Sequence, residues 1–155
     1  MSAPEASDGQ RSLVGDWRLR RWTSEADDGS VTLPLGEAPD GILLYTAGGL
    51  MMTTIARADR APITSADPLR GGSVDERAAT AETFIAYSGH FAYDGTDVTH
   101  VVEMSLYPNW VGTRQVRHVR LSDDGEILEL STDPFTLGGR RSVQRLTWVR
   151  MPSDR

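Results

Sequence analysis

The chain has 155 residues, of which 39% are apolar and 25% charged, an ordinary composition for one globular domain large enough to bury a core. It contains no cysteine, which excludes a disulfide framework, a thiolate metal site and a cysteine nucleophile. All 16 basic residues are arginines, scattered along a chain of net charge −6, so we expect neither a nucleic-acid partner nor lysine Schiff-base chemistry.

The N-terminal segment is small and polar. It has no basic stretch followed by an apolar core, which a secretory signal would need. We therefore expect a disordered tail over residues 1–12, one domain over residues 13–150, a cytoplasmic location and no membrane partner.

From Leu13 onward the chain consists of short runs with period-two alternation or β-branched residues. Turns rich in glycine and aspartate separate these runs, which is typical of an antiparallel sandwich or barrel. The predicted strands cover residues 14–25, 41–46, 49–57, 87–93, 97–106, 113–121, 127–132 and 141–150.

One segment has helical character. Ser73-Val74-Asp75-Glu76 matches the S-x-x-E capping box, and the alanine-rich run that follows predicts a helix to about Ala86. The preceding residues, 58–72, form a long predicted loop of the kind that often covers a ligand site.

Four sequence phrases carry a family resemblance. They are Leu13 to Trp17, which contains the G-x-W motif, Gly41 to Thr46, Ala86 to Gly89, and His100 to Thr113. Together they resemble the bacterial and fungal lipocalin-like domain family, a calycin-type barrel. The resemblance implies an all-β fold, an antiparallel lipocalin-like barrel of eight to ten strands around a cavity, to which the predicted segment adds one short helix.

The resemblance also implies function. Related barrels carry apolar ligands or act as cyclases and isomerases in natural-product biosynthesis. In lipocalins an arginine of the last strand often packs over the G-x-W tryptophan, and either Arg141 or Arg145 could take that place over Trp17.

Strand pairing decides which side chains face the cavity. Asp94-Gly95 looks like a two-residue turn, which would pair Tyr93 with Thr96 and Gly89 with His100 and place His100 inside the barrel. Met104 and Leu106 would continue this inward face. A three-residue turn would shift the register by one residue and change the partners.

The predicted site combines polar groups with an apolar wall, as small-molecule sites do. His100, Arg117 and Tyr87 are the candidate catalytic residues, although a structural role is an equally good interpretation of His100, and Arg117 could pair with a buried acid. The candidate ligand-binding residues are Gln115, Tyr45, Met52, Met104, Trp110 and Trp148. Of the Met51-Met52 pair only one side chain should point inward.

No cofactor or metal is expected. The three histidines fall on separate strands, and the chain has no phosphate-binding loop, dinucleotide fingerprint or nucleophile elbow. Our first hypothesis is a cofactor-independent cyclase or isomerase that uses His100 as acid or base, with Arg117, Tyr87 and Gln115 orienting the substrate. The alternative is a non-catalytic carrier of a small apolar metabolite, and a third possibility is a collapsed barrel that binds proteins. The oligomeric state stays open, a homodimer included.

Overall fold

A computed structural model describes residues 8–153, which form ten β-strands, two α-helices and one 3₁₀ turn. The strands are β1 (Gly15–Ala26), β2 (Val31–Thr32), β3 (Asp40–Tyr45), β4 (Leu50–Ala56), β5 (Phe84–Tyr93), β6 (Asp97–Ser105), β7 (Arg114–Leu121), β8 (Ile127–Ser131), β9 (Phe135–Leu137) and β10 (Arg140–Arg150). The helices are α1 (Asp8–Leu13) and α2 (Val74–Glu82), and the 3₁₀ turn is Pro108–Trp110.

Eight of these strands close into an antiparallel barrel. The order is β1-β3-β4-β5-β6-β7-β8-β10, and β10 pairs with β1 to complete the ring. The two short strands extend one end of it, β2 beside the end of β1 and β9 beside the start of β10. The guanidinium of Arg140, the first residue of β10, donates to the Ser30 carbonyl at 3.0 Å and to the Thr32 hydroxyl of β2 at 3.3 Å. The predicted fold class is confirmed.

All eight predicted strands are present, with ends displaced by at most three residues. Strands β2 and β9 were not predicted, because two or three residues are too few to show an alternating pattern. The predicted capping box is present: the Ser73 hydroxyl accepts from the Glu76 N–H, and the Glu76 carboxylate accepts from the Ser73 N–H. Helix α2 ends at Glu82 rather than near Ala86, since Phe84 already pairs with β4.

The N-terminal prediction is wrong in part. Helix α1 covers residues 8–12 of the segment predicted as a tail and ends one residue beyond it, whereas residues 1–7 lie outside the described residues. The helix ends at Leu13, which is fully buried against the base of the barrel and is anchored there by its own apolar side chain.

Trp17 fills the closed end of the barrel. Its indole Nε1 donates to the Leu13 carbonyl at 3.0 Å, and the guanidinium of Arg150 lies over its ring at 4.2 Å. Both predicted arginine partners are therefore wrong. Arg141 is exposed, and Arg145 pairs with carboxylates on the outer surface. The barrel register sets Arg150, and neither of the others, directly opposite Trp17.

The connection between β5 and β6 is longer than predicted. The Asp94 N–H donates to the Asp97 carbonyl at 3.2 Å, so Tyr93 pairs with Val98 and not with Thr96. The Asp94 carboxylate stabilises this wider turn by accepting the N–H groups of Thr96 and Asp97. The resulting shift of two residues leaves His100 on the inward face, as predicted, because side chains alternate with period two.

A β-bulge near Gly89 then reverses that alternation. Gly89 pairs with Val102, whereas the preceding Ser88 pairs with Met104, so β6 has one extra residue at this point. A Cβ atom on residue 89 would lie 1.9 Å from the Val101 carbonyl oxygen, so the close approach requires glycine. Beyond the bulge Met104 points away from the barrel.

Candidate functional site

The interior divides into a packed base and an open mouth. At the mouth, a cavity of about 460 Å³ opens between the ends of β1, β5, β7 and β10. Its apolar lining includes Trp22, Ile55, Ile85, Trp110, Phe135 and Leu146, and its polar lining includes Tyr87, Gln115, Arg117 and Gln144.

The β9 hairpin divides the space at the mouth. Two neighbouring hollows, of about 560 Å³ and 390 Å³, share Ile85 and Leu137 with the cavity of about 460 Å³. Strand β9 pairs only with β10 among the described strands, so few backbone contacts hold it in place.

Between base and mouth lies a hydrogen-bonded group of three aromatic side chains. His100 is 1% exposed; its Nε2 lies 2.6 Å from the Tyr45 hydroxyl and its Nδ1 lies 3.1 Å from the Tyr87 hydroxyl. Of the three, Tyr87 lines the cavity, and Tyr45 and His100 lie behind it. Both ring nitrogens of the histidine are therefore occupied by protein groups.

Burial keeps this group neutral. It lowers the pKa of His100 to about 3, and the nearby positive charge of Arg117 acts in the same direction. Burial raises the pKa of Tyr45 well above its ordinary value. It also raises the pKa of Tyr87, an effect that the Arg117 charge partly opposes.

Arg117 and Gln115 reach the cavity from β7, on the inward face that the sequence predicted. The guanidinium donates to the Val116 carbonyl at 2.9 Å and to the Gln115 Oε1 at 3.3 Å. The predicted buried acid is not found among residues 8–153: no carboxylate lies within ion-pair distance of Arg117. The cavity thus contains an arginine whose charge is not neutralised by an ion pair.

The aromatic side chains at the rim pack edge to face. Trp110, in the 3₁₀ turn, packs edge-on against Tyr87 with ring centroids 5.5 Å apart, and against Tyr107 at 5.6 Å. Trp110 also lines the cavity at the mouth of the barrel. Its predicted ligand-binding role stays a prediction.

Two predicted ligand-binding residues are outside the barrel. Met52 is 51% exposed and Met104 is 72% exposed, and both flank Ser88 on the outer surface of β5. For Met52 the choice within the pair was wrong, because Met51 is the buried neighbour. For Met104 the reason is the bulge at Gly89, which a strict alternation does not anticipate.

Trp148 is inside the barrel but does not line the cavity. It is 2% exposed and packs in the core, opposite Leu19 and Leu128 in the strand pairing. Its Nε1 has no hydrogen-bond partner among the described residues. Its place in the core agrees with a structural role.

The sequence did not reveal a polar network beside the cavity. Gln144 is 2% exposed; its Oε1 accepts from the Trp22 indole at 2.9 Å, and its Nε2 donates to the hydroxyls of Ser24 and Ser142. The members come from opposite ends of the chain. Only the inward alternation of Ser142, Gln144 and Leu146 on β10 could have indicated it.

Residues 8–153 contain neither a metal site nor a membrane-spanning helix. No cluster of three histidine, aspartate or glutamate side chains could hold a metal ion. Neither α-helix in this part of the chain has the length and apolar character needed to cross a bilayer.

Fold and site together define a class, the calycin-type barrel with a ligand-sized cavity at one end. The lipocalin-like domain model matches residues 14–151, and the chain belongs to that family. A curated relative, the 4'-hydroxy-3'-methoxypropiophenone carrier protein ppsC of Aspergillus oryzae, is 40% identical over 90 residues. The match covers 52% of this chain and 79% of the relative.

Proposed function

We propose that the chain is a carrier that binds a small, largely apolar aromatic molecule in the mouth cavity and releases it chemically unchanged. The observation that supports this most directly is the cavity itself, whose volume of about 460 Å³ lies within the usual range for small-molecule sites. Three aromatic side chains, Trp22, Trp110 and Phe135, line it and can stack on an aromatic ring.

The Aspergillus relative supports the same ligand class. Its name specifies an aromatic ketone with a phenolic hydroxyl and the role of a carrier. A ligand of that kind offers one apolar ring and a few oxygen atoms, which suits an apolar wall with Tyr87, Gln115 and Arg117 as polar contacts.

The cyclase or isomerase remains a second candidate, with Arg117 and Tyr87 as its stabilising groups. The geometry favours it less, because its acid or base, His100, has both ring nitrogens hydrogen-bonded and lies behind Tyr87. A pKa of about 3 also makes this histidine a poor proton carrier near neutral pH.

The test is direct binding followed by recovery. The protein is incubated with 4'-hydroxy-3'-methoxypropiophenone, binding is followed by tryptophan fluorescence and native mass spectrometry, and the extracted ligand is analysed for any change. We expect a stoichiometric complex and an unchanged ligand. An isomerised or dehydrated product that disappears in His100→Gln would support the enzyme, and a product that persists in that variant would remove His100 from catalysis.

A pair of variants locates the site. Leu146→Phe adds volume inside the cavity, whereas Met104→Phe makes a similar addition on the outer surface. We expect the first to weaken binding at least about tenfold, since the ring and the new phenyl group compete for the same space, and the second to bind like the wild type. Circular dichroism confirms that both variants fold. Equal binding by all three proteins would refute the cavity as the site.

A further inference from the structure

The direction of the hydrogen bonds around His100 follows from burial. Tyr45 is 2% exposed, and the His100 Nε2 is the one hydrogen-bond partner that its hydroxyl has among the described residues. If Nε2 carried the proton, the Tyr45 hydroxyl hydrogen would be buried without an acceptor, which is costly. Tyr45 therefore donates to Nε2.

The direction of the Tyr45–His100 hydrogen bond determines the direction of the hydrogen bond between His100 and Tyr87. A neutral imidazole carries one proton, so with Nε2 accepting, Nδ1 must be the protonated nitrogen and donates to the Tyr87 oxygen. The Tyr87 hydroxyl hydrogen is then not used by His100. Because Tyr87 lines the cavity, its hydroxyl is available to donate to a bound molecule.

Arg117 adds a second hydrogen-bond donor to the cavity lining. Its guanidinium lies in the cavity lining with no carboxylate at ion-pair distance among residues 8–153, and its charge acts on both Tyr87 and His100. Burial keeps both tyrosines and the histidine neutral, so none of the three compensates this positive charge. The carboxylate of Asp133, which also lines the cavity, is hydrogen-bonded to His118 at 2.9 Å and does not pair with Arg117. A neutral polar floor beneath an unneutralised arginine favours a ligand atom that is an acceptor and carries negative charge.

We propose that Tyr45, His100 and Tyr87 form an oriented hydrogen-bond relay that, together with Arg117, makes the cavity select ligands with an anionic oxygen, such as an ionised phenol or an enolate. This inference rests on the proposed function, since it specifies the ligand chemistry of the same cavity. Tyr87 and Arg117 are the residues that contact the ligand oxygen, and His100 is a positioning residue.

The test uses two small aromatic molecules that differ in one group. 4-Nitrophenol ionises near neutral pH and its phenolate absorbs visible light, whereas 4-nitroanisole is its methyl ether and stays neutral. We expect the ionised phenol to bind about tenfold to a hundredfold more tightly than the ether, and the pKa of the bound phenol to fall by about one to two units, as for a charge-assisted hydrogen bond.

Variants separate the contributions. Arg117→Gln and Tyr87→Phe should each remove most of the preference for the phenolate while 4-nitroanisole still binds. Arg120→Gln removes the same charge from the outer face of the same strand and should leave the preference unchanged. His100→Leu breaks the relay and should raise the pKa of the bound phenol, and His100→Gln, which keeps one donor and one acceptor, should restore it in part.

The outcomes are distinct. Tight binding of phenolate that depends on Arg117 and on the relay supports the inference. Equal affinity for phenolate and ether, or an unchanged pKa of the bound phenol in His100→Leu, overturns it and leaves the carrier function standing. Failure of both molecules to bind also overturns the inference, whereas the carrier proposal is judged separately by the binding of 4'-hydroxy-3'-methoxypropiophenone.

Discussion

Arg150 closes the base of the barrel, and replacing it by alanine should destabilise the fold. Its guanidinium lies 4.2 Å above the Trp17 ring and donates to the carbonyls of Gly125, Val14 and Ser12 at 2.8, 2.8 and 3.0 Å. These contacts join the last strand, the turn after β7 and the end of helix α1. Among residues 8–153 no carboxylate forms an ion pair with Arg150, so the contacts that the structure describes are those of packing and hydrogen bonding.

The magnitude follows from the contacts that are lost. Three charge-assisted hydrogen bonds, weakened by partial exposure to water, contribute about 0.5 to 1 kcal/mol each. The arginine over the tryptophan face adds about 0.5 to 1 kcal/mol. We therefore expect Arg150→Ala to lower the free energy of unfolding by about 2 to 4 kcal/mol, which corresponds to a fall in Tm of about 5 to 10 °C for a chain of this size.

Urea unfolding followed by tryptophan fluorescence measures this change, with thermal denaturation as a second readout. Arg141→Ala is the matched control, because it removes an exposed arginine from the same strand and should change the stability by less than about 0.5 kcal/mol. Equal stability of the two variants would show that Arg150 does not secure the base, and the reasoning from its contacts would be wrong.

Three further predictions concern the bulge, the surface and the core. Gly89→Ala should lower the free energy of unfolding by about 3 kcal/mol, since its methyl group would lie 1.9 Å from a backbone carbonyl oxygen; chemical denaturation measures this. Met51→Ser should cost about 2 to 4 kcal/mol and Met104→Ser less than about 0.5 kcal/mol, because the first side chain is 2% and the second 72% exposed. Protonated His118 donates from Nε2 to the Asp133 carboxylate and from Nδ1 to the Asp97 carboxylate, and these hydrogen bonds raise its pKa. The stabilisation is therefore present below the ordinary histidine pKa and is lost as the pH rises through the raised value. His118→Gln should therefore lower the Tm at about pH 5.5 and leave it unchanged above about pH 8.5.

Each of these predictions has a clear contrary result. A fully stable Gly89→Ala variant would mean that the bulge can relax without cost. Similar losses in the two methionine variants would contradict the assignment of inner and outer faces, and a Tm difference for His118→Gln that grows with pH would reverse the sign of the proposed linkage.

Local chemistry determined a large part of this protein. Period-two alternation between glycine- and aspartate-rich turns was enough to predict the eight barrel strands, because a strand with one buried face must repeat its apolar residues at every second position. Ser73 and Glu76 defined the start of helix α2, since both hydrogen bonds of a capping box lie within one turn. The same local pattern placed His100, Gln115 and Arg117 on inward faces.

Only the closed barrel decided which of these residues meet. The choice of Arg150 over Arg141 and Arg145 depends on the register between the first and last strands, and the hydrogen bond from Ser24 to Ser142 joins residues 118 positions apart. The bulge at Gly89 depends on how closely β6 approaches β5, and it alone sends Met104 outward. Alternation along a strand is a property of neighbouring residues, whereas contacts across a barrel arise from packing between distant segments, which no local pattern specifies.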